Sequence, residues 1–191
     1  RIYRPLGQPG EYMSYLNEGY AILSAIADIA SGETLESYAQ REIFNKLGMT
    51  HSTFDLARVK ETGNYSSLFY RWKDEMKFSD NWEVAPPYRG CGFIKSTAED
   101  LSRYYLALSQ NGFLEGKQVF PAACVERMIG REFAETEKPL YCFGLAKRII
   151  DGLTICSHTG GLKGVSSIGG FIKDEGFAIA ILTNITDVDC I

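Results

Sequence analysis

Histidine is scarce in this chain: His51 and His158 are the only two among 191 residues. A metal centre built on several imidazoles has too few ligands here. The five cysteines, Cys91, Cys124, Cys142, Cys156 and Cys190, stand singly and never as C-x-x-C. An odd count without pairing argues against a disulfide frame or a zinc site and predicts reduced, mostly buried thiols. Such thiols favour a reducing compartment, though no other feature assigns one. No cofactor is called for. Positive charge is not in excess either. A net charge of −4 runs against a nucleic-acid partner, which needs a basic stripe or patch. No stretch approaches the roughly 18 apolar residues of a membrane span. Internal repeats, low-complexity tracts and a signal-peptide pattern are all absent, and the chain opens on Arg1 rather than methionine. The natural N-terminus is therefore expected to lie upstream.

What is present is enough apolar material, 45%, for one sizeable core or for a domain with part of another. The first third reads as helical. Tyr20, Ile22, Leu23, Ile26, Ala27 and Ile29 give a broad apolar face, and Gly32 stands at the C-terminal cap. A second helix is expected from Thr34 as N-cap to Gly48, with Leu35, Tyr38, Ala39, Ile43, Phe44 and Leu47 inward. From Asp55 to about Gly92 the pattern dissolves into mixed aromatics and charges, closed by Pro86-Pro87, as in the wall of a cleft. A capping box at Ser96 and Glu99 opens another helix, with Leu101, Tyr104, Tyr105 and Leu108 buried, and a short one follows over Pro121 to Ile129.

The last fifty residues change period. Four strands are expected: Phe143 to Ile150, Leu153 to His158, Ser166 to Ile172 and Phe177 to Asn184. Breaks this short allow only antiparallel neighbours. The chain therefore divides into a helical region, 1–140, with an irregular cleft wall over 55–92, and a β-meander over 141–191. That is an α+β arrangement.

Two short stretches carry candidate chemistry. Tyr15-Leu16-Asn17 precedes the first helix, and His158-Thr159-Gly160 sits by the glycine-rich stretch Gly160-Gly161-Leu162-Lys163-Gly164. Read alone, the first is an ordinary helix start, with Asn17 as cap and Tyr15 as hydrophobic staple. The second, alone, is a histidine bonded in a turn. Their order and surroundings go further. Pro9-Gly10, Tyr15-Leu16-Asn17-Glu18-Gly19-Tyr20, Leu47-Gly48-Met49-Thr50, Gly90 to Leu101 (GCGFIKSTAEDL), the His158 stretch and Ile181-Leu182-Thr183-Asn184 follow one another along nearly the whole chain.

This string resembles the serine β-lactamase and penicillin-binding protein superfamily, in its class C-like branch of esterases and D-peptidases. Leu16 replaces the usual small serine, Lys46 the usual proline, and Cys91 the usual alanine or glycine. The resemblance implies a β-lactamase/transpeptidase-like fold and acyl transfer through a serine ester. It assigns catalytic places to Tyr15, Asn17, His158 and Gly161, whose N–H would be half of an oxyanion hole, and substrate contact to Thr159 and Gly160. The family's Ser-x-x-Lys motif is missing: no serine here has a lysine three positions on. The expectation is a fragment, inactive alone, of an enzyme acting on a small-molecule or peptide substrate, with a sheet edge open to dimer formation. A β-lactam, a D-peptide and an ester are all compatible. Histidine in place of lysine tilts toward ester or peptide, since a neutral imidazole offers a β-lactam carboxylate no fixed charge. It could donate one hydrogen bond to Tyr15 or to substrate.

Two rival readings stand beside this one. A non-catalytic sensor or binding module would keep the cleft without the serine. A cysteine hydrolase would use Cys91 or Cys156 with His158, since residues two apart on a strand share a face. No G-x-S-x-G elbow supports Ser-His-Asp chemistry.

Overall fold

The computed structural model of the chain describes residues 4–79, 82, 85–130 and 140–186, so Cys190 lies outside it. Helix α1 (Asn17–Ser31) ends where expected, with Gly32 left-handed at φ 73° and its N–H on the Asp28 carbonyl. Its orientation is not as expected. Ile22, Leu23, Ile26 and Ile29 point outward, Ile29 at 84% exposure, and Ser24 is the buried residue of this helix. The cause lies opposite: a Cβ on Gly90 would stand 2.3 Å from the Tyr20 carbonyl oxygen. That loop lies directly on α1, and only the helix's small-residue side can meet it.

Helix α2 (Leu35–Ala39) is capped by Thr34, whose Oγ1 accepts from the Ser37 N–H. It continues through a π turn, Gln40–Phe44, into α3 (Asn45–Leu47). The wide turn adds a residue and shifts the inward face. Phe44 and Leu47 are buried, while Tyr38, expected inward, is 40% exposed beneath the Arg41 guanidinium.

The stretch expected to be irregular is partly ordered. Asp55 caps α4 (Leu56–Glu61), and β1 (Leu68–Trp72) pairs with β2 (Glu75–Ser79) through Lys73-Asp74, both at positive φ. Asn-Gly is the usual signal for such a turn, so Lys-Asp gave no sequence warning. The hairpin joins the main sheet through the Phe69 N–H, which donates to the Asn184 carbonyl at 2.9 Å.

Helix α5 (Ala98–Ser109) is capped by Thr97, one residue later than expected, its Oγ1 accepting from the Asp100 N–H. Ser96 is otherwise engaged, 2.7 Å from the Ser52 hydroxyl. The buried Asp100 carboxylate accepts from the His51 N–H and the Ser52 hydroxyl, both at 2.8 Å, and so clamps the loop after α3 onto α5. A short hairpin, β3 (Phe113–Leu114) and β4 (Lys117–Gln118), leads to α6 (Ala122–Gly130).

The meander is as expected, with one extra strand. β5 (Leu140–Tyr141), β6 (Ala146–Ile150), β7 (Leu153–Leu162), β8 (Val165–Ile172) and β9 (Phe177–Thr183) pair in that order, all antiparallel. β7 runs past His158: Gly160 and Gly161 pair with Ser167 and Ser166, confining the turn to Lys163-Gly164. Helix α5 joins the two cores. Ala107 belongs to a cluster with Phe44, Leu47 and Met49, and Leu108 to one with Val125, Ile129, Cys156 and Phe171.

Candidate active site

The first motif residue stands where α1 begins. Leu16 holds the N-cap position in extended conformation and, lacking a polar side chain, caps nothing. Asn17 therefore starts the helix rather than capping it. It is exposed, and its side chain makes no hydrogen bond among the described residues. Tyr15 is 55% exposed. Both residues are thus exposed at the positive end of a fifteen-residue helix.

The second motif lies on β7, where the sheet loses a strand. The β6 ladder on β7 stops at the Ala146–Ser157 pair, whereas the β8 ladder runs on to Leu162. Residues 158–162 therefore have a ladder on one side only. A Cβ on Gly161 would meet nothing within 4 Å, so no neighbour explains the glycine. The end of this strand is braced by the first hairpin: Lys163 Nζ lies 4.2 Å from the Tyr70 ring centroid, and Gly164 packs under Leu68.

These two elements bring Tyr15 and His158 together from 143 positions apart. Their ring centroids are 6.1 Å apart and the rings are inclined by 29°. Tyr141 of β5 completes a trio, 6.1 Å from Tyr15 and 6.2 Å from His158, edge-on to each. Its hydroxyl is 3.1 Å from His158 Nε2, while His158 Nδ1 is 2.6 Å from the Thr159 carbonyl oxygen. Tyr20, one turn into α1, is half-buried and hydrogen-bonded to Tyr141. Burial first, and then the neighbouring Tyr15, raise its phenol above the ordinary range, against the opposing pull of the Tyr141 bond.

The imidazole therefore does not serve Tyr15 in the manner expected. His158 presents its flat face to the phenol, and both ring nitrogens are engaged elsewhere. Tyr141 and Tyr20 were missed from the sequence. A two-residue strand is too short to show alternation, and Tyr20 read as core. Thr159 and Gly160 lie exposed on the one-sided stretch of β7, beside Gly161.

The thiols fit a structural role. Cys156 is fully buried, and burial first, then Cys142, push it up to about 11, far from a thiolate at neutral pH. Burial also raises Cys91, whose Sγ lies 3.0 Å from the Tyr88 carbonyl oxygen. A cavity of about 350 Å³ lies between α2, the start of α4 and the 85–95 strip, and includes none of Tyr15, Asn17, His158 or Gly161. Its Lys95 donates to the Phe93 carbonyl at 2.9 Å, and burial lowers the ammonium's pKa despite Asp55 nearby. The described residues hold no cluster suited to a metal ion, and none of their helices is long and apolar enough to cross a membrane.

A helical body on an antiparallel meander is the layout of a β-lactamase or penicillin-binding protein-like fold. The chain belongs to the Beta-lactamase family, whose sequence model matches residues 3–189. The unguisins hydrolase of Aspergillus violaceofuscus is 24% identical over 196 residues, covering 90% of this chain and 34% of that protein. Penicillin-binding protein 4* of Bacillus subtilis is 26% identical over 172 residues, covering 84% and 37%. The octameric penicillin-binding protein homologue from Pyrococcus abyssi shares the fold at TM-score 0.76 and 22% identity, over 95% of this chain and 40% of that one. The chain thus spans about a third of the length of the curated relatives it matches.

Proposed function

We propose that this chain is the part of a class C-like serine hydrolase that carries the second and third catalytic motifs, and that the Ser-x-x-Lys segment belongs to a portion of the parent protein outside it. One observation carries the reading: Tyr15 and His158 face each other at 6.1 Å beside the one-sided stretch of β7. The outward Ile22, Leu23, Ile26 and Ile29 of α1, with Phe177, Ile179 and Ile181 on β9, support it. Apolar faces of this extent normally have a partner.

The assembled reaction is acyl transfer. The supplied serine Oγ attacks an amide or ester carbonyl, and its proton passes through the lysine and Tyr15 to the leaving group as the acyl–oxygen bond forms. Water then cleaves the ester and restores the serine. Asn17, free of capping duty, holds the lysine and the substrate amide. Thr159 and Gly160 line the substrate's path along β7. The Gly161 N–H is one oxyanion donor, and such a donor lowers the barrier by about 3 kcal/mol. Histidine at position 158, where the family commonly has lysine, favours an ester, D-peptide or amide over a β-lactam bearing a carboxylate, because no lysine ammonium stands there.

The test compares two proteins. The 191-residue chain should not hydrolyse nitrocefin or p-nitrophenyl acetate, and the parent carrying Ser-x-x-Lys should hydrolyse the ester and lose about 100-fold or more with Tyr15→Phe. Rapid turnover by the chain alone, abolished by Tyr15→Phe, would falsify the fragment reading. A parent gene without Ser-x-x-Lys upstream would turn the conclusion toward a binding module.

A further inference from the structure

The hydrogen bonds around His158 have a direction. A carbonyl oxygen can only accept, so the 2.6 Å contact with Thr159 puts the imidazole proton on Nδ1. In the neutral ring Nε2 then carries only a lone pair, and the Tyr141 hydroxyl, 3.1 Å away, must donate to it. Each phenol has one proton to give. The chain reads Tyr141 O–H to His158 Nε2, and His158 Nδ1–H to the Thr159 carbonyl.

We propose that Tyr141 is the positioning residue of this site: its hydroxyl holds His158 in the Nδ1–H tautomer and keeps the ring's flat face toward Tyr15. The residue comes from β5, on the far side of β6 from β7, and reaches His158 where the β6 ladder has ended. Its ring meets the Tyr15 ring edge-on. It acts on the phenol through the imidazole that it holds. The consequence is chemical. With Nε2 engaged as an acceptor, the imidazole puts no N–H toward Tyr15, and the phenol keeps its own proton and lone pairs for the incoming lysine and leaving group. This catalytic meaning rests on the hydrolase reading, whereas the tautomer itself does not.

The tautomer can be read on the chain as it stands. Long-range ¹H–¹⁵N spectra of the ¹⁵N-histidine-labelled protein contain two imidazoles, and His51 serves as internal control. The spectra are recorded at about pH 8.5, two units above the value of an ordinary histidine. We expect the His158 Nδ1 signal at the protonated, pyrrole-like position and Nε2 at the pyridine-like one. Tyr141→Phe keeps the ring and its edge-on packing but removes the donor. It should shift the His158 pair toward the Nε2–H pattern while leaving His51 unmoved, which loss of packing alone would not do. An unmodified chain with His158 protonated on Nε2 overturns the proposal, even if the variant fails to fold. A Tyr141→Phe spectrum identical to the parent's overturns it as well, because the Thr159 carbonyl would then suffice. Neither outcome depends on whether the assembled protein is a hydrolase.

Discussion

Replacing Asp100 by alanine should destabilise the chain by about 3 kcal/mol, through the two hydrogen bonds its carboxylate accepts. The carboxylate is 3% exposed and accepts from the His51 N–H and the Ser52 hydroxyl, each at 2.8 Å. Hydrogen bonds to a charged group contribute about 1.5–3 kcal/mol apiece. The two donors do not suffer equally. Ser52 keeps the Ser96 hydroxyl at 2.7 Å as a second partner, whereas the His51 N–H has no other acceptor among the described residues. One full loss and one partial loss give about 3 kcal/mol; relief from burying a charge and the small cavity left behind act in opposite directions. The loop after α3 would then loosen from α5, and with it Met49, which is 2% exposed in the core shared by the two. For a urea slope of about 2 kcal/mol/M, the unfolding midpoint should fall by about 1.5 M. Asp100→Asn, which keeps one acceptor oxygen, should fall by less than half as much. Equilibrium urea titration followed by far-UV circular dichroism decides it. A midpoint moved by less than about 0.5 M in the alanine variant would mean that the clamp is incidental and that apolar packing alone seats the loop.

Two further outcomes can be measured alongside. Gly161→Ala should leave the thermal melt of this chain within about 0.5 kcal/mol, since a Cβ there meets nothing within 4 Å, yet slow ester turnover by the parent roughly tenfold to a hundredfold by obstructing substrate along β7. Unchanged parent kinetics would remove substrate from that edge. Alkaline stability should also be lost in a defined window. Burial holds the Cys156 thiol neutral up to about 11 and the Tyr105 phenol up to about 12, against ordinary values of 9.0 and 10.0. The unfolded chain sheds these protons first, so stability is full below about pH 9 and falls as pH rises toward 12. Urea midpoints between about pH 8 and 12 should show the fall, and Tyr105→Phe should flatten its upper part; a midpoint constant to about pH 11 would contradict the burial argument.

The legible parts of this protein were those fixed by local physics. Gly32 ends α1 because a left-handed residue is needed there, Thr34 caps α2 because its hydroxyl reaches Ser37, and short turns force an antiparallel meander; each depends on a few adjacent residues. The motif residues Tyr15, Asn17 and His158 were legible too, as residue types in sequence order. Their being neighbours was not. Which way α1 faces depended on the Gly90 loop lying against Tyr20, some seventy positions away, and the outward isoleucines reverse what an isolated helical wheel implies. The hairpin turn at Lys73-Asp74 and the π turn at Gln40–Phe44 carry only weak local signals. Tyr141 belongs to the same class. A two-residue strand has no period to read, and its hydroxyl acquires a role only because the β6 ladder on β7 ends at the Ala146–Ser157 pair, next to His158. Sequence order determined which groups were available, and the lengths of neighbouring strands decided which of them touch.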